Sequence, residues 1–315
     1  MKVAGLFSGV GGIELGFKQS GFDVVWGNEI DSKASETYKL NYSHELVTQD
    51  INDVPSEDIP DHDILLAGFP CQAFSIAGYR KGFEDDRGNV FFQVVRIIRD
   101  KRPSIIFLEN VKNLVGHDKG NTFRVIQEAL SEYGYHIKHK VMNASEYGNI
   151  PQNRERIYIV GFQDYDVYRN FEFPDPLELT NKLSDVVDFN SKVDDAFYYT
   201  KDKYKFYDTL EEQMVNRNTL YQWRRVYVRE NKSNLCPTLT ANMGTGGHNV
   251  PLLLSKHGIR KLTPQECFKL QGYPENFKLP ELAKSHLYKQ AGNSVVVPVI
   301  KRIADNIKKA LAEKE

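Results

Sequence analysis

The chain has 315 residues, of which 41% are hydrophobic and 26% charged, and its formal net charge is -1. These values are typical of a globular protein with one large and one smaller domain, and they exclude a chain that is basic throughout. Its short apolar start excludes a signal peptide, and no run reaches the ~20 apolar residues of a membrane span, so we expect a cytoplasmic protein. Three widely spaced cysteines predict neither disulfides nor a metal site.

The first elements are a strand over residues 3–7, a glycine loop over 8–12 and a helix from residue 13. This order is typical of the nucleotide-binding opening of a doubly wound parallel sheet, where loop glycines let the backbone approach a ligand. The spacing departs from the dinucleotide fingerprint because Glu14 occupies the position three beyond Gly11, which disfavours NAD.

Two acidic positions follow the next strands. Glu29 ends a strand over residues 24–28, about 20 residues beyond the loop, where a ribose hydroxyl pair is usually bound. Asp50 and Ile51 follow a short strand at 46–48 and can reach an adenine amino group. The alternatives are a solvated turn carboxylate for Glu29 and a turn residue for Asp50. The pattern indicates an adenosine-containing cofactor.

The fourth apolar strand, residues 64–67, leads through Gly68 and Pro70 to Cys71. This places the thiol at the carboxyl end of a buried strand, where open α/β sheets bind their ligands. The residues after Cys71 are polar and rich in glycine, which suits a phosphate-facing loop. The alternative is that Cys71 is a small buried hydrophobic residue, as most free cysteines are.

A further apolar strand over residues 103–108 stops at Glu109, beside the strand that carries Cys71. We expect Glu109 to be an acid with a raised pKa, although a charge that starts the next helix is the alternative. Arg154 and Arg156 are two residues apart on a predicted strand and so should project to one face with a shared anion-facing role. A solvated edge strand is the alternative.

From residue 170 to 256 the chain lacks long periodic apolar runs and carries basic residues interleaved with aromatic ones. This composition suits nucleic-acid contact, although a solvated charged face is the commoner explanation. The cluster comprises Arg217, Trp223, Arg224, Arg225, Tyr227, Arg229 and Lys232. A terminal helix over 299–311 should pack back on the first sheet. We predict a catalytic and cofactor-binding domain at 1–172, a target-recognition domain at 173–284 and a C-terminal segment at 285–315 that returns to the first domain.

Eight short motifs occur along the chain in one order, and together they resemble the cytosine-5 DNA methyltransferases of bacterial type II restriction–modification systems. They lie at 7–12, 28–29, 50–51, 68–72, 109–111, 152–156, 260–267 and 290–295. The resemblance implies an α/β, Rossmann-like S-adenosylmethionine-dependent methyltransferase fold, with a mixed, mostly parallel sheet and a smaller irregular target-recognition domain.

The resemblance also implies the chemistry. Cys71 would add to C6 of a flipped-out cytosine, a protonated Glu109 would act at N3, and Arg154, supported by Arg156, would steady the base carbonyl. S-adenosyl-L-methionine would be the cofactor and S-adenosyl-L-homocysteine the product. The implied cofactor contacts are Phe7, Gly9, Gly11, Glu29, Ile30, Asp50, Ile51, Pro70, Asn293 and Val295. The implied DNA contacts are Gln72, Ser75, Arg80, Lys81, Arg224, Arg225, Arg229, Thr238, Thr240 and Asn242.

One position departs from the family pattern, since Ile30 stands where an aromatic residue is common, which puts adenine stacking there in doubt. The expected partner is double-stranded DNA, the expected state is a monomer, and a cognate restriction endonuclease would act on the same site without binding this chain. Three alternatives stay open: a tRNA cytosine-5 methyltransferase on the same fold, a catalytically silent DNA-binding relative, and an NAD-dependent oxidoreductase. The Cys-Phe-Thr tripeptide of the tRNA branch is absent.

Overall fold

The computed structural model describes residues 1–70 and 90–314. The strands are β1 Lys2–Leu6, β2 Asp23–Glu29, β3 Glu45–Thr48, β4 Ile64–Gly68, β5 Ile105–Val111, β6 His136–Asn143, β7 Glu155–Phe162, β8 Tyr221–Trp223, β9 Val228–Glu230, β10 Leu252–Ser255 and β11 Gly258–Lys261. The helices are α1 Gly12–Gln19, α2 Ser32–Asn41, α3 Val90–Lys101, α4 Asn121–Glu132, α5 Ala144–Tyr147, α6 Tyr165–Asn170, α7 Leu183–Val186, α8 Tyr207–Gln213, α9 Pro264–Lys269, α10 Lys284–Asn293 and α11 Val297–Ala312.

The chain divides into two compact units. The first unit comprises Met1–Met142, Glu155–Asp175 and Val299–Glu315, and the second comprises Asn143–Arg154 and Pro176–Pro298. The sequence predicted one continuous domain at 1–172 and a C-terminal segment at 285–315 that returns to it. In the structure, residues 143–154 belong to the second unit, and the return to the first unit begins at residue 299.

Within the described residues, the first unit is built on a seven-stranded sheet in the order β3-β2-β1-β4-β5-β7-β6. Strands β3, β2, β1, β4 and β5 are parallel, and β7 runs antiparallel to β5. The central strands are apolar and buried, as covered parallel strands require. This confirms the predicted α/β fold with a mixed, mostly parallel sheet.

Helices pack on the sheet of the first unit through their apolar stripes. In α3 the residues in the core form adjacent pairs, which begin at Phe91, Val94 and Ile97. Helix α11 packs closely on α1, because a Cβ atom at Gly16 would lie 2.5 Å from the Ile300 side chain. The terminal helix therefore packs on the first unit, as expected for residues 299–311.

The second unit contains a four-stranded antiparallel sheet in the order β11-β10-β8-β9 within the described residues, with short helices and extended segments around it. Its core includes Tyr199, Leu210, Tyr221 and Leu252. The strands are three or four residues long, which explains why the sequence showed no long periodic apolar run. Across the described parts of the chain, no helix combines the length and apolar character needed to cross a membrane.

Candidate cofactor and catalytic site

The loop after β1 bends sharply and holds a strained residue. Phe7 has φ 54°, and Gly9 and Gly11 have φ 55° and 84°. A left-handed residue other than glycine costs on the order of 1–3 kcal/mol, and such residues cluster at functional sites. A Cβ atom at Gly11 would lie 2.4 Å from the ring of Tyr42, whose hydroxyl donates to the Gly11 carbonyl at 2.7 Å. Tyr42 therefore packs against the loop at Gly11, whereas no atom lies within 4 Å of the position of a Cβ atom at Gly9.

Glu29 is tied to this loop by its carboxylate. One oxygen accepts the N–H of Gly9 at 2.7 Å, and the other accepts the N–H of Asp31 at 2.7 Å. Burial raises the pKa of Glu29, and the two backbone donors oppose that shift. The adjoining Ile30 is 63% exposed, although it is a large apolar residue. A buried carboxylate beside an exposed apolar side chain forms a surface suited to a ribose and a flat base.

Asp50 and Ile51 take different positions. The Asp50 carboxylate accepts the N–H of Asn52 at 2.9 Å and caps a short 3-10 helix, and the residue is only half-buried. The Ile51 side chain is 2% exposed and packs in the core of the first unit. Of this pair, Asp50 is thus the residue whose side chain reaches the surface.

Glu109 lies at the carboxyl end of two paired strands. It stands opposite Gly68 in the register of β5 and β4, and its Oε2 would be 3.5 Å from a Cβ atom at Gly68. Its Oε1 is 3.2 Å from Nε of Arg156, and both side chains are largely buried. The amide of Asn110 donates to the Phe69 carbonyl at 2.9 Å. The exit of β4 towards exposed Pro70 is therefore fixed beside the Glu109 carboxylate.

Strand β5 extends further than the sequence predicted. It continues through Glu109 to Val111 because these residues pair with β7 from Tyr158 to Arg156. The antiparallel partner supplies hydrogen bonds beyond the point where the apolar run ends. Glu109 is consequently a strand residue, and the helix-start alternative is wrong.

The shared face predicted for Arg154 and Arg156 is not found. Strand β7 begins at Glu155, so Arg154 lies outside it. Arg156 belongs to the first unit, where it pairs with Glu109. Arg154 belongs to the second unit and is 3% exposed. The i, i+2 rule fails here because only one of the two residues is in the strand.

Arg154 instead ties together two segments of the second unit. Its guanidinium donates to the carbonyls of Leu239 at 2.7 Å and Gly292 at 3.2 Å, and also to that of Ser294. Gln152 binds the same part of the chain: it donates a hydrogen bond to the Leu270 carbonyl at 2.7 Å and accepts one from the Leu239 N–H at 3.1 Å. These bonds fix residues 239 and 292–294. Asn293 itself is exposed, whereas Val295 is buried.

The candidate DNA contacts of the second unit have exposed side chains and lie in the β8–β9 hairpin and in the segment 238–242. These residues are Arg224, Arg225, Arg229, Thr238, Thr240 and Asn242. The β8–β9 hairpin turn is closed by the Arg224 N–H and the Tyr227 carbonyl at 2.9 Å, with φ 65° at Arg225. Trp223 stacks on Phe206 at its base, with ring centroids 4.4 Å apart. The exposed arginines of this turn are therefore carried by a main chain that is fixed by a hydrogen bond and by ring stacking.

Part of the predicted site lies outside the described residues. This part comprises Cys71, Gln72, Ser75, Arg80 and Lys81. Sequence reasoning also missed one buried group near the loop, the carboxyl of Glu14, which is 1% exposed. The signal that could have revealed it is a pair of glycines inside strands, Gly5 and Gly27, because glycine in a strand interior marks a close approach.

The chain was compared with known families, relatives and structures. The profile of the C-5 cytosine-specific DNA methylase family matches residues 1–309. Type II methyltransferase M.Bsp6I of Bacillus sp. (strain RFL6) is 64% identical over 313 residues, covering 99% of each chain. Type II methyltransferase M.HhaI of Haemophilus parahaemolyticus is 41% identical over 317 residues, covering 97% of this chain and 94% of the relative.

In fold, the chain is similar to the S. pombe Dnmt2 methyltransferase, with a TM-score of 0.75 and 19% identity over 99% of each chain. A putative DNA modification methyltransferase encoded within an E. coli prophage gives a TM-score of 0.72 at 22% identity, over 99% of this chain and 100% of that one. These likenesses concern the fold alone. The family match and the relatives concern function, and they show that the chain belongs to the C-5 cytosine-specific DNA methylase family and is a DNA cytosine-5-methyltransferase.

Proposed function

We propose that the protein transfers a methyl group from S-adenosyl-L-methionine to C5 of a flipped-out cytosine in a short, specific duplex DNA sequence, through a covalent bond between Cys71 and C6. The observation that carries this proposal is the register of β4 and β5. Glu109 stands opposite Gly68, only three residues before Cys71. An acid and a nucleophile that leave the same edge of the sheet can act on one pyrimidine ring.

The first unit offers groups that fit the adenosine part of the cofactor. Glu29 keeps acceptor capacity beyond its two backbone bonds and suits a ribose hydroxyl pair. Exposed Ile30 suits contact with adenine, and Asp50 suits its amino group. The open space above Gly9 lets the backbone approach a ligand. When bound, S-adenosyl-L-methionine supplies an electrophilic methyl group on its sulfonium.

The residues of the chain supply the rest of the chemistry. The Cys71 thiolate forms a bond to C6, and a proton held by Glu109 at N3 neutralises the negative charge that develops on the ring. C5 then accepts the methyl group. Loss of the C5 proton to solvent and departure of the thiolate restore the aromatic ring. Arg156 holds Glu109 in place, since its Nε lies 3.2 Å from the carboxylate. Arg154 acts by fixing residues 239 and 292–294 rather than as a free cation.

Addition of the thiolate to the face of the ring requires the cytosine to leave the stack, at a cost of a few kcal/mol. The exposed arginines of the β8–β9 hairpin suit phosphate or base contacts, and Thr238, Thr240 and Asn242 suit groove contacts. Gln72, Ser75, Arg80 and Lys81, which lie outside the described residues, are the other proposed DNA contacts. We propose a monomer acting on duplex DNA, with a cognate restriction endonuclease acting on the same site independently.

The test measures transfer of tritiated methyl groups from labelled S-adenosylmethionine to duplex DNA. We expect Cys71→Ala to abolish transfer while cofactor affinity stays within about twofold, because the thiol takes part only in the chemical step. Cys267→Ala, which removes a buried thiol in the second unit, is the matched control and should remain active. Turnover by Cys71→Ala would refute the covalent mechanism.

Two further measurements separate the alternatives. Duplex DNA that contains 5-fluorocytosine should trap a covalent adduct, because fluorine at C5 cannot leave as a proton. A catalytically silent relative would form none. Side-by-side assays on tRNA and duplex DNA decide between the two nucleic acids, and we expect transfer to DNA only. Bisulfite sequencing of the methylated duplex then reads out the recognised sequence.

A further inference from the structure

A cluster of buried polar side chains lies beside the cofactor loop in the first unit, where two glycines pair across neighbouring strands. Gly5 of β1 pairs with Gly27 of β2. A Cβ atom at Gly5 would lie 2.1 Å from Oε1 of Glu14 and 3.0 Å from Oγ of Ser8. A Cβ atom at Gly27 would lie 2.9 Å from the Tyr38 hydroxyl and 3.1 Å from Oγ of Ser8. Three polar side chains therefore meet in the space that two absent side chains leave.

The carboxyl of Glu14 is buried there without a cation. The residue is 1% exposed, and no ion pair to it occurs within residues 1–70 and 90–314. The groups that face it are the Ser8 hydroxyl from the loop, Glu29 from β2 and Tyr38 from α2. Burial raises the pKa of Glu14 to about 7, and the nearby Glu29 adds to the shift, while Ser8 and the first turn of α1 oppose it. The neutral acid is thus the form that suits the site.

The cluster adjoins the proposed cofactor loop on one side and His44 on the other. Ser8 lies between strained Phe7 and Gly9, whose N–H binds Glu29 at 2.7 Å. On the other side, the Tyr38 hydroxyl lies 2.6 Å from Nε2 of half-buried His44. A change in charge or shape at Glu14 would therefore move Ser8 and, with it, the contact between Gly9 and Glu29.

We propose that Glu14, as a neutral acid in the gap between Gly5 and Gly27, is a positioning residue that holds the Ser8–Gly9 part of the loop in its cofactor-binding form. The inference rests on the proposed use of S-adenosylmethionine at this loop. Ionised Glu14 would place a second carboxylate near Glu29 and repel it, so the loop would lose its shape. Cofactor affinity then depends on the protonation of a residue that does not touch the cofactor.

The experiment measures the Kd of S-adenosylmethionine by calorimetry between about pH 6 and about pH 8. If only the neutral form binds, one-tenth of the wild type is competent a unit above its titration midpoint, so its Kd should rise roughly tenfold. Glu14→Gln, which stays neutral, should bind with nearly constant affinity over this range. Glu14→Ala should bind about tenfold more weakly at every pH, with kcat at saturating cofactor changed less than about twofold. Glu36→Gln, an exposed acid on α2, is the charge-matched control and should follow the wild type.

The outcomes are separable. A Glu14→Gln variant with the pH dependence of the wild type, or a folded Glu14→Ala variant with wild-type affinity, would overturn the inference. If Glu14→Ala does not fold, Glu14→Gln and Ser8→Ala still decide, since Ser8→Ala should weaken cofactor binding without changing affinity for DNA. Failure of the wild type to bind S-adenosylmethionine at any pH would instead contradict the proposed function.

Discussion

The β1–β2 edge of the first unit and the β8–β9 hairpin of the second unit present polar groups in opposite ways. At the β1–β2 edge the polar side chains are buried, and the Glu29 carboxylate accepts hydrogen bonds from two backbone N–H groups. At the hairpin the main chain is fixed, while Arg225 and Val226 at the turn are exposed, the latter by 79%. The first arrangement suits one ligand of constant shape. The second suits contacts that can change by substitution without disturbing the core.

A similar contrast separates two neighbouring arginines. Arg156 pairs with the Glu109 carboxylate on the sheet of the first unit. Arg154 donates hydrogen bonds to three main-chain carbonyls in the second unit. Substitution of Arg156 should therefore act on Glu109, whereas substitution of Arg154 should loosen the second unit. If the first unit holds the chemistry and the second unit the DNA readout, substitutions in the two units should affect different measured quantities.

The largest expected effect is at Glu109. Glu109→Gln keeps the size of the side chain but removes its acid, so kcat should fall by about 10²–10⁴, the range for general acid catalysis. The Kd of S-adenosylmethionine should stay unchanged. Single-turnover methyl transfer and calorimetry measure the two quantities. The control is Glu155→Gln, an exposed acid that pairs with Lys112 and should retain activity. A kcat within threefold of the wild type would remove Glu109 from the chemistry.

The next effect is on stability as a function of pH. Folding raises the pKa of Glu14 from 4.5 to about 7. The folded protein thus keeps a proton that the unfolded chain releases, so this stability is full below the unfolded pKa and is lost as pH rises through about 7. Between about pH 5 and about pH 8 the wild type should lose about 2.5 kcal/mol relative to Glu14→Gln.

Urea denaturation of both proteins at each pH measures this difference. The difference isolates Glu14, because other buried groups titrate in both proteins alike. Equal pH profiles would show that Glu14 is charged in the folded protein or that it meets a cation there, and would contradict its assignment as a neutral acid.

A smaller effect is expected from filling the gap beneath the loop. Gly5→Ala places a methyl group against the Glu14 carboxyl and should destabilise the fold by about 2 kcal/mol, as overpacking of a filled interior does. Adding Glu14→Ala should recover part of that loss, since the two substitutions share one space. Gly116→Ala, where a Cβ atom meets nothing within 4 Å, is the matched control. Additive losses in the double variant would contradict the shared gap.

The smallest effect is expected at the hairpin. Arg224→Gln should weaken DNA binding and reduce the slope of log K against log salt concentration by about 1, which is the signature of one lost phosphate contact. The affinity for S-adenosylmethionine should not change. Arg124→Gln, which removes an exposed arginine from α4 in the first unit, is the control. An unchanged salt slope would place Arg224 away from the DNA backbone, and altered sequence preference alone would indicate base readout.

Local patterns were sufficient for much of this protein. The apolar strand before Gly68, the loop after β1 and the acid at position 29 were all readable from the chain, because strand, turn and helix signals lie within a few residues of each other. The family followed from motifs in a single order. The choice of Glu109 as a candidate acid was likewise local information, since the apolar run stops at that residue.

The tertiary structure decided the rest, because it depends on residues that are distant in sequence. The extension of β5 requires β7, about 50 residues later, and the separation of Arg154 from Arg156 depends on the carbonyls at 239 and 292. Burial of Ile51 depends on the core of the first unit. The buried site of Glu14 exists only because Gly5 and Gly27 pair across two strands and α2 brings Tyr38 to them. Pairing and packing of this kind are set by the whole fold, so no local stretch of sequence contains them.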